Sequence, residues 1–321
     1  MLALILDPKG ADGNPARVVT DHAAPALAAG EALIRVRTAG VCDTDLQLAR
    51  GYMGFEGIPG HEFTGTVVEC ADASWIGKRV VADINAGCGT CAECVANGTH
   101  HCPNRTVLGI VARGGAFAET VAMPVACLVE VPANVSDDAA VFAEPLAAAL
   151  HVLDELAAPP KRAIVLGDGK LGLLIARALV GAGVPTELVG RHARKLALAP
   201  GAKTWMDTDD VKPGADLVVE ATGTEAGLER AIQLAAPRGT IVLKTTVAGK
   251  LSIDLAPVVV NELRVIGSRC GDMKRAIDAL ARAEVDPTPL IEARYPLARA
   301  DEALAHAGRR GTLKVVIDAG H

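Results

Sequence analysis

Along residues 1–145 the apolar positions come in short runs broken by turns. In "ALIRVRTAG", Ile34 and Val36 alternate with Arg35 and Arg37, the period-2 pattern of a half-buried strand. "TGTVVEC", "KRVVADI" and "FAETVAM" read as further strands, and Gly and Pro punctuate them throughout. This stretch predicts a mostly β domain. From residue 144 the period lengthens. "EPLAAALHVLDEL" reads as a helix with Pro145 in its first turn. Strand-like and helix-like runs then alternate: "RAIVLG", "KLGLLIARALVGAG", "TELVGR", "HARKLALA", "DLVVEATG", "AGLERAIQLAA", "TIVLK", with "LRVIGSR" as a late strand. That alternation predicts an α/β domain, a parallel sheet with helices on both faces. The tail, from "MKRAIDALARAEV" to "TLKVVIDAG", reads as a helix, a loop region and a last strand. There is no internal repeat and no low-complexity segment.

Composition narrows the classes. A chain of 321 residues favours two domains. Hydrophobic residues reach 50% but aromatics only 2%, so the cores must be built from Ala, Val, Leu and Ile. The net charge is -6 with no basic run, which argues against nucleic acid as a partner. No apolar stretch approaches the roughly 20 residues that span a bilayer, so no membrane partner is expected. "MLALIL" is too short for a signal-peptide core, and Asp7 and Pro8 end it. A cytoplasmic protein is expected, and there clustered cysteines bind metal more often than they pair as disulfides.

Gly167, Gly169 and Gly172 in "AIVLGDGKLGLLIARAL" form G-x-G-x-x-G between a strand-like run and a helix, with Lys170 and Leu171 opening that helix. In that context the first glycine allows the tight turn and the second lets backbone approach a pyrophosphate. The third lets helix pack on strand. The helix N-terminus offers unpaired N–H groups to the phosphates. An Asp or Glu about 20 residues on would accept the ribose hydroxyls of NAD. Here "TELVGRHARK" places Gly190 at that point, followed by Arg191 and His192. Loss of the carboxylate leaves room for a 2′-phosphate, which a guanidinium meets with charge-assisted bonds. NADP is therefore expected, with NAD as the alternative.

"CGTCAECVANGTHHC" spaces Cys88, Cys91, Cys94 and Cys102 as C-x2-C-x2-C-x7-C. Four thiolates close a tetrahedral zinc shell and leave no position for substrate, so this site is structural. A disulfide pair is the competing reading. His100 and His101 are expected to be surface residues. Elsewhere Cys42 stands in "GVCDTDLQ" and His61 in "GIPGHEFTG", with Glu62 beside it. Both are good zinc ligands, although a lone Cys and a lone His are more often core residues than ligands.

Taken in order, "GVCDTD", "GHEFTG", the four-cysteine lobe and "GDGKLG" resemble the zinc-dependent alcohol dehydrogenases of the medium-chain dehydrogenase/reductase superfamily. The resemblance implies a GroES-like catalytic domain over residues 1–145, with the structural zinc lobe at 86–104, then a Rossmann domain over 146–272. Residues 273–321 would return to the first domain, and the active site would lie in the cleft between the domains. It implies that Cys42 and His61 bind a catalytic zinc. The third ligand in the polyol and sugar branch is a glutamate in an "EP" motif, here Glu144 followed by Pro145. Water or Glu62 is the alternative. Glu62 would lie beside the metal. Asp45 would orient His61, or else cap its own loop. Thr44 would stand next to the substrate oxygen and pass on its proton. Gln47 replaces a histidine that often ends that relay. Two zincs per chain and a homo-oligomer, dimer or tetramer, complete the expectation.

The implied reaction is hydride transfer between a primary or secondary alcohol, or its carbonyl, and a nicotinamide dinucleotide. Zinc-independent enone or quinone reduction and a non-enzymatic cofactor-binding role are the alternatives. Cys42, His61 and Glu144 together argue against the first, and the presence of both metal constellations argues against the second. Tyr52, Met53 and Phe55 in "GYMGFEG" suggest an apolar pocket or simply core, while Glu144 points to polyols, sugars or amino alcohols.

Overall fold

Strand Glu31–Gly40 organises the first compact unit of the computed structural model, which describes residues 1–7, 15–245 and 251–320. Pro8 lies outside them. The unit comprises Met1–Glu144, Met273–Ala281 and Ile291–His321. Glu31–Gly40 pairs antiparallel with Glu62–Cys70, Thr120–Pro124 and Lys314–Asp318. Arg79–Ala82 and Leu128–Glu130 extend the sheet beyond Glu62–Cys70. Ile34 and Val36 point into the core while Arg35 stays exposed, as the alternation requires. Leu4, Leu6, Phe117 and Met123 fill the same core.

Two parts of this unit differ from the sequence expectation. Ala3–Leu6, within "MLALIL", is a strand paired antiparallel with Ala16–Val19, an element the sequence pattern does not single out. The tail is not a loop between a helix and a last strand. It contains the strand Ile291–Pro296, parallel to Lys314–Asp318, and the helix Ala300–Ala307. Pro287, Pro289 and Pro296 hide that strand in the sequence, because proline discounts a β reading.

The second unit, Pro145–Asp272 with Arg282–Leu290, holds a six-stranded parallel sheet. Its order is Lys203–Met206, Thr186–Gly190, Ala163–Leu166, Ala215–Glu220, Ala235–Leu243, Arg264–Gly267. The unit's first strand, Ala163–Leu166, lies at the centre, and the chain winds outward in both directions. That is the doubly wound Rossmann arrangement. Ala163–Leu166 is buried at every position, as a central parallel strand must be. Helix Lys170–Gly181 is buried from Gly172 to Leu179. The edge strand Lys203–Met206 escapes sequence reading because it is four residues long and only partly buried. "AGLERAIQLAA" ends as a helix at Leu234, and Ala235 already belongs to the next strand.

Candidate active site and dinucleotide turn

Strand register brings Cys42 and His61 together. Gly40 pairs with Glu62 at the end of the Glu31–Gly40 ladder, so Cys42 and His61 leave that pair side by side. A Cβ at Gly40 would overlap the Glu62 carboxylate, so only glycine leaves that carboxylate its space. Cys42 is also the N-cap of helix Asp43–Ala49. Asp45 in the first turn of this helix is fully buried and accepts two backbone N–H bonds. Oδ2 takes Cys42 at 2.8 Å and Oδ1 takes Gly60 at 3.1 Å. Its Oδ1 also lies 3.2 Å from His61 Nδ1, outside hydrogen-bond alignment. Of the two roles expected of Asp45 as alternatives, the bond to Cys42 N–H matches the loop cap, while the approach to His61 is a close contact without a hydrogen bond.

One ligand atom from each of Cys42, His61 and Glu62 falls within 4.8 Å of the others. The carboxylate completing this group is Glu62. Glu144, in the first turn of helix Ala143–Asp154, is close enough to feel the charges of His61 and Glu62. Burial pushes its carboxyl up to about 7, and His61 pulls the other way. For His61, burial favours the neutral ring, but Asp45 and Cys42 outweigh it and hold the imidazole well above its ordinary value. A thiol, an imidazole and the Glu62 carboxylate meet here, and among the described residues His61 Nδ1 has no hydrogen bond, so this donor set fits a divalent cation. Thr44 Oγ1 stands 4.0 Å from Cys42 Sγ, and Gln47 is exposed on the helix.

The four lobe cysteines form a second group. Sγ of Cys102 is 3.6 Å from that of Cys88 and 3.8 Å from that of Cys91. A tetrahedral shell with Zn–S bonds of about 2.3 Å has sulfur separations of about 3.8 Å, whereas a disulfide needs about 2.05 Å. All four are free, which decides against the disulfide reading. Backbone N–H bonds from Thr90 and Cys91 pull Cys88 down to about 6, while burial and the adjoining thiols push Cys94 up to about 12. His101 is exposed as expected, but half-buried His100 contacts Asp83 through Nε2 at 2.9 Å.

In the second unit, Gly167 takes φ +113 in the turn after the central strand. A Cβ at Gly172 would strike the Gly167 carbonyl, and one at Gly169 would meet nothing within 4 Å. The turn is closed where helix meets strand and open where a pyrophosphate would approach, so the cradle fits a dinucleotide. Lys170 and Leu171 are the first residues of the helix. Gly190 ends Thr186–Gly190, but the space beside it is not empty. A Cβ there would lie 2.5 Å from Cβ of Asp168. Asp168 Oδ2 accepts the N–H of Arg191 at 2.8 Å and of His192 at 2.7 Å, and faces His192 Nδ1 at 2.9 Å. Arg191 Nε is held by Asp207 Oδ2 at 2.8 Å. The room expected at Gly190 for a 2′-phosphate is thus occupied by a carboxylate from the turn.

Residues 28–133 match the alcohol dehydrogenase GroES-like domain, and residues 169–284 match the zinc-binding dehydrogenase domain. The chain is 32% identical to 2-dehydro-3-deoxy-L-galactonate 5-dehydrogenase of Pseudoalteromonas atlantica, over 92% of this chain and 93% of that protein. The chain belongs to the zinc-type alcohol dehydrogenases of the medium-chain dehydrogenase/reductase superfamily. It is also 32% identical to D-altritol 5-dehydrogenase of Agrobacterium fabrum, over 84% of this chain and 87% of that one. Among solved structures, a zinc-binding dehydrogenase of Sinorhizobium meliloti bound to NADP shares 27% identity. It covers 99% of each chain with a TM-score of 0.86.

This zinc-type dehydrogenase is an oxidoreductase with a GroES-like domain and a Rossmann domain. Sequence reading missed three of its polar residues. Lys314, on the last strand, bonds the Glu62 carboxylate, and both are buried. Asp168 sat in plain view as an "x" of the glycine motif. Buried Glu220 holds the turn after its strand through Thr222, Gly223 and Thr245. Tyr52 and Met53 are exposed at 54% and 60%, not core. Met53 and Phe55 line a cavity of about 470 Å³ whose walls do not include Cys42 or His61. Among the described residues no helix is long and apolar enough to cross a membrane.

Proposed function

We propose that this dehydrogenase interconverts a polyhydroxylated alcohol and its carbonyl compound, using a zinc ion held by Cys42 and His61. The observation that carries the reading is the grouping of Cys42, His61 and Glu62 in a dehydrogenase of the zinc-type family. Glu62 and Glu144 are the two carboxylates available to complete the shell. The names of the galactonate and altritol relatives support a polyol or sugar-acid substrate. A zinc ion bound there would act as a Lewis acid toward the substrate oxygen, and the dinucleotide would exchange the hydride.

The chain's own side chains do the rest. Asp45 positions the loop that carries Cys42 and the backbone next to His61. Thr44 relays the hydroxyl proton, accepting it as it gives its own to water, because glutamine has no useful basicity and Gln47 cannot take it onward. Gly167, Gly169, Lys170, Leu171 and Gly172 receive the pyrophosphate. Arg191 and His192 lie at the ribose end. NADP is the form held by the Sinorhizobium structure. Arg191 would suit its 2′-phosphate, while Asp168 works against it.

Cys88, Cys91, Cys94 and Cys102 hold a second zinc that braces the lobe. We read residues 1–145 as the catalytic domain, 146–272 as the dinucleotide domain and 273–321 as the returning segment. A cytoplasmic homo-oligomer acting on small molecules, without nucleic-acid or membrane partners, completes the reading. The test is a panel of alditols, sugar acids and simple alcohols, followed through nicotinamide absorbance with both dinucleotides. Turnover confined to polyhydroxylated compounds supports it. Zinc-independent reduction of enones or quinones, with no alcohol turnover, would replace it.

A further inference from the structure

The glycine-rich turn and the end of the second strand are joined by one side chain. Asp168 is 8% exposed, and its Oδ2 receives both backbone N–H groups that follow Gly190. These are the groups just past the point where a Rossmann strand usually ends in Asp or Glu. Gly190 itself can carry no side chain there, because a Cβ would fall 2.5 Å from Cβ and 2.7 Å from Cγ of Asp168. The strand end without a Cβ and the aspartate of the turn therefore share one space, which the Asp168 side chain fills. All three contacts fall on Oδ2, and among the described residues Oδ1 accepts no hydrogen bond. Arg191, the guanidinium a 2′-phosphate would need, is already engaged by Asp207.

We propose that Asp168 supplies the ribose-selecting carboxylate from the glycine-rich turn, so that this dehydrogenase prefers NAD to NADP. The inference rests on the dinucleotide reading above. Oδ1 is the acceptor left for a ribose hydroxyl, and a 2′-phosphate would meet a carboxylate instead of the open, basic site that Gly190 and Arg191 suggest in the sequence. The bonds to His192 and Arg191 outweigh the effect of burial and hold the Asp168 carboxyl below its ordinary value, which keeps it ionised at neutral pH.

The test measures dissociation constants of NADH and NADPH for the zinc-loaded protein by nicotinamide fluorescence, independent of turnover. The wild type should bind NADH at least about tenfold more tightly, the scale of one hydrogen bond to a charged group. Asp168→Asn should shrink or invert that ratio. If Asp168 only braced the turn, both constants would weaken together and the ratio would hold. The paired change Asp168→Gly with Gly190→Asp moves the carboxylate to the strand end and should restore the NADH preference. A wild type that favours NADPH, or an unchanged ratio in Asp168→Asn, overturns the inference while leaving the dinucleotide reading intact. Binding of neither nucleotide overturns both.

Discussion

Lys314 and Glu62, 252 residues apart in the chain, form a buried ion pair beside the Cys42–His61 group. Strand pairing explains it. Glu31–Gly40 lies between Glu62–Cys70 and Lys314–Asp318, with Gly40 opposite both Glu62 and Val316. Lys314 thus reaches the site from the far side of the central strand. Burial disfavours its charge, but Glu62 more than restores it.

Lys314→Met should therefore be costly, because it strands a buried carboxylate. Loss of one partner of such a pair costs about 3–5 kcal/mol. Zinc would neutralise Glu62 in part, so the fall in Tm should be larger after chelation than in the zinc-loaded protein. Adding Glu62→Gln to Lys314→Met should recover much of the loss. Thermal denaturation of the two variants with and without chelator checks this, and equal losses under both conditions would speak against the metal lying beside Glu62.

Asp45 joins both halves of the proposed zinc site through Cys42 and Gly60. Asp45→Ala leaves two buried N–H groups unpaired, at about 1–3 kcal/mol each before relaxation. It should also lower zinc occupancy and turnover by about 10–100-fold, the usual effect of losing a carboxylate behind a metal-binding histidine. Metal analysis beside kcat measures both. Full zinc occupancy with normal kcat would reduce Asp45 to a cap.

Much of this was legible in the sequence, and the exceptions share a cause. The cysteine lobe and the glycine turn are local, so their spacing carries the chemistry. Cys42 and His61 are separated by 19 positions; "ALIRVRTAG" and "TGTVVEC" read as strands in the sequence, but their pairing comes only with the fold. Asp168 and Lys314 act through contacts 23 and 252 positions away, and no local pattern signals such a partner. Asp168 also misled by its absence elsewhere, since Gly190 reads as an open site unless the turn beside it is known to fill it. Strand Ile291–Pro296 was obscured by flanking prolines and alternates only weakly, between half-buried and exposed positions.

The lobe makes a separate prediction. Cys94→Ser should remove one zinc per chain and lower stability, because binding free energy at a closed four-thiolate site is also folding free energy. Zinc at the Cys42 group should remain in whatever fraction stays folded. Metal content beside a thermal melt tests this. A variant as stable as the wild type, with one zinc lost, would contradict a bracing role.

In the second unit, Glu187 is held by Arg162 Nε at 2.7 Å and by Trp205 Nε1 at 2.5 Å. Burial would raise its carboxyl, but Arg162 and Trp205 outweigh it and set it below the ordinary 4.5. A carboxyl depressed in the folded state stabilises fully above its unfolded value, and that contribution fades as pH falls through the folded one. Glu187→Gln should thus cost about 1 kcal/mol at neutral pH. The gap to the wild type should close only below the ordinary carboxylate range. Urea unfolding followed by tryptophan fluorescence across pH measures it, and a pH-independent gap would refute the assignment.

Zinc content per chain, measured for the wild type and for His61→Ala purified without chelator, decides whether Cys42 and His61 hold a metal. Two zincs per chain are expected in the wild type. In His61→Ala one zinc should remain, with a melt still held by the cysteine lobe and no alcohol-dependent reduction of dinucleotide. Two zincs retained in His61→Ala, with turnover intact, would contradict that assignment.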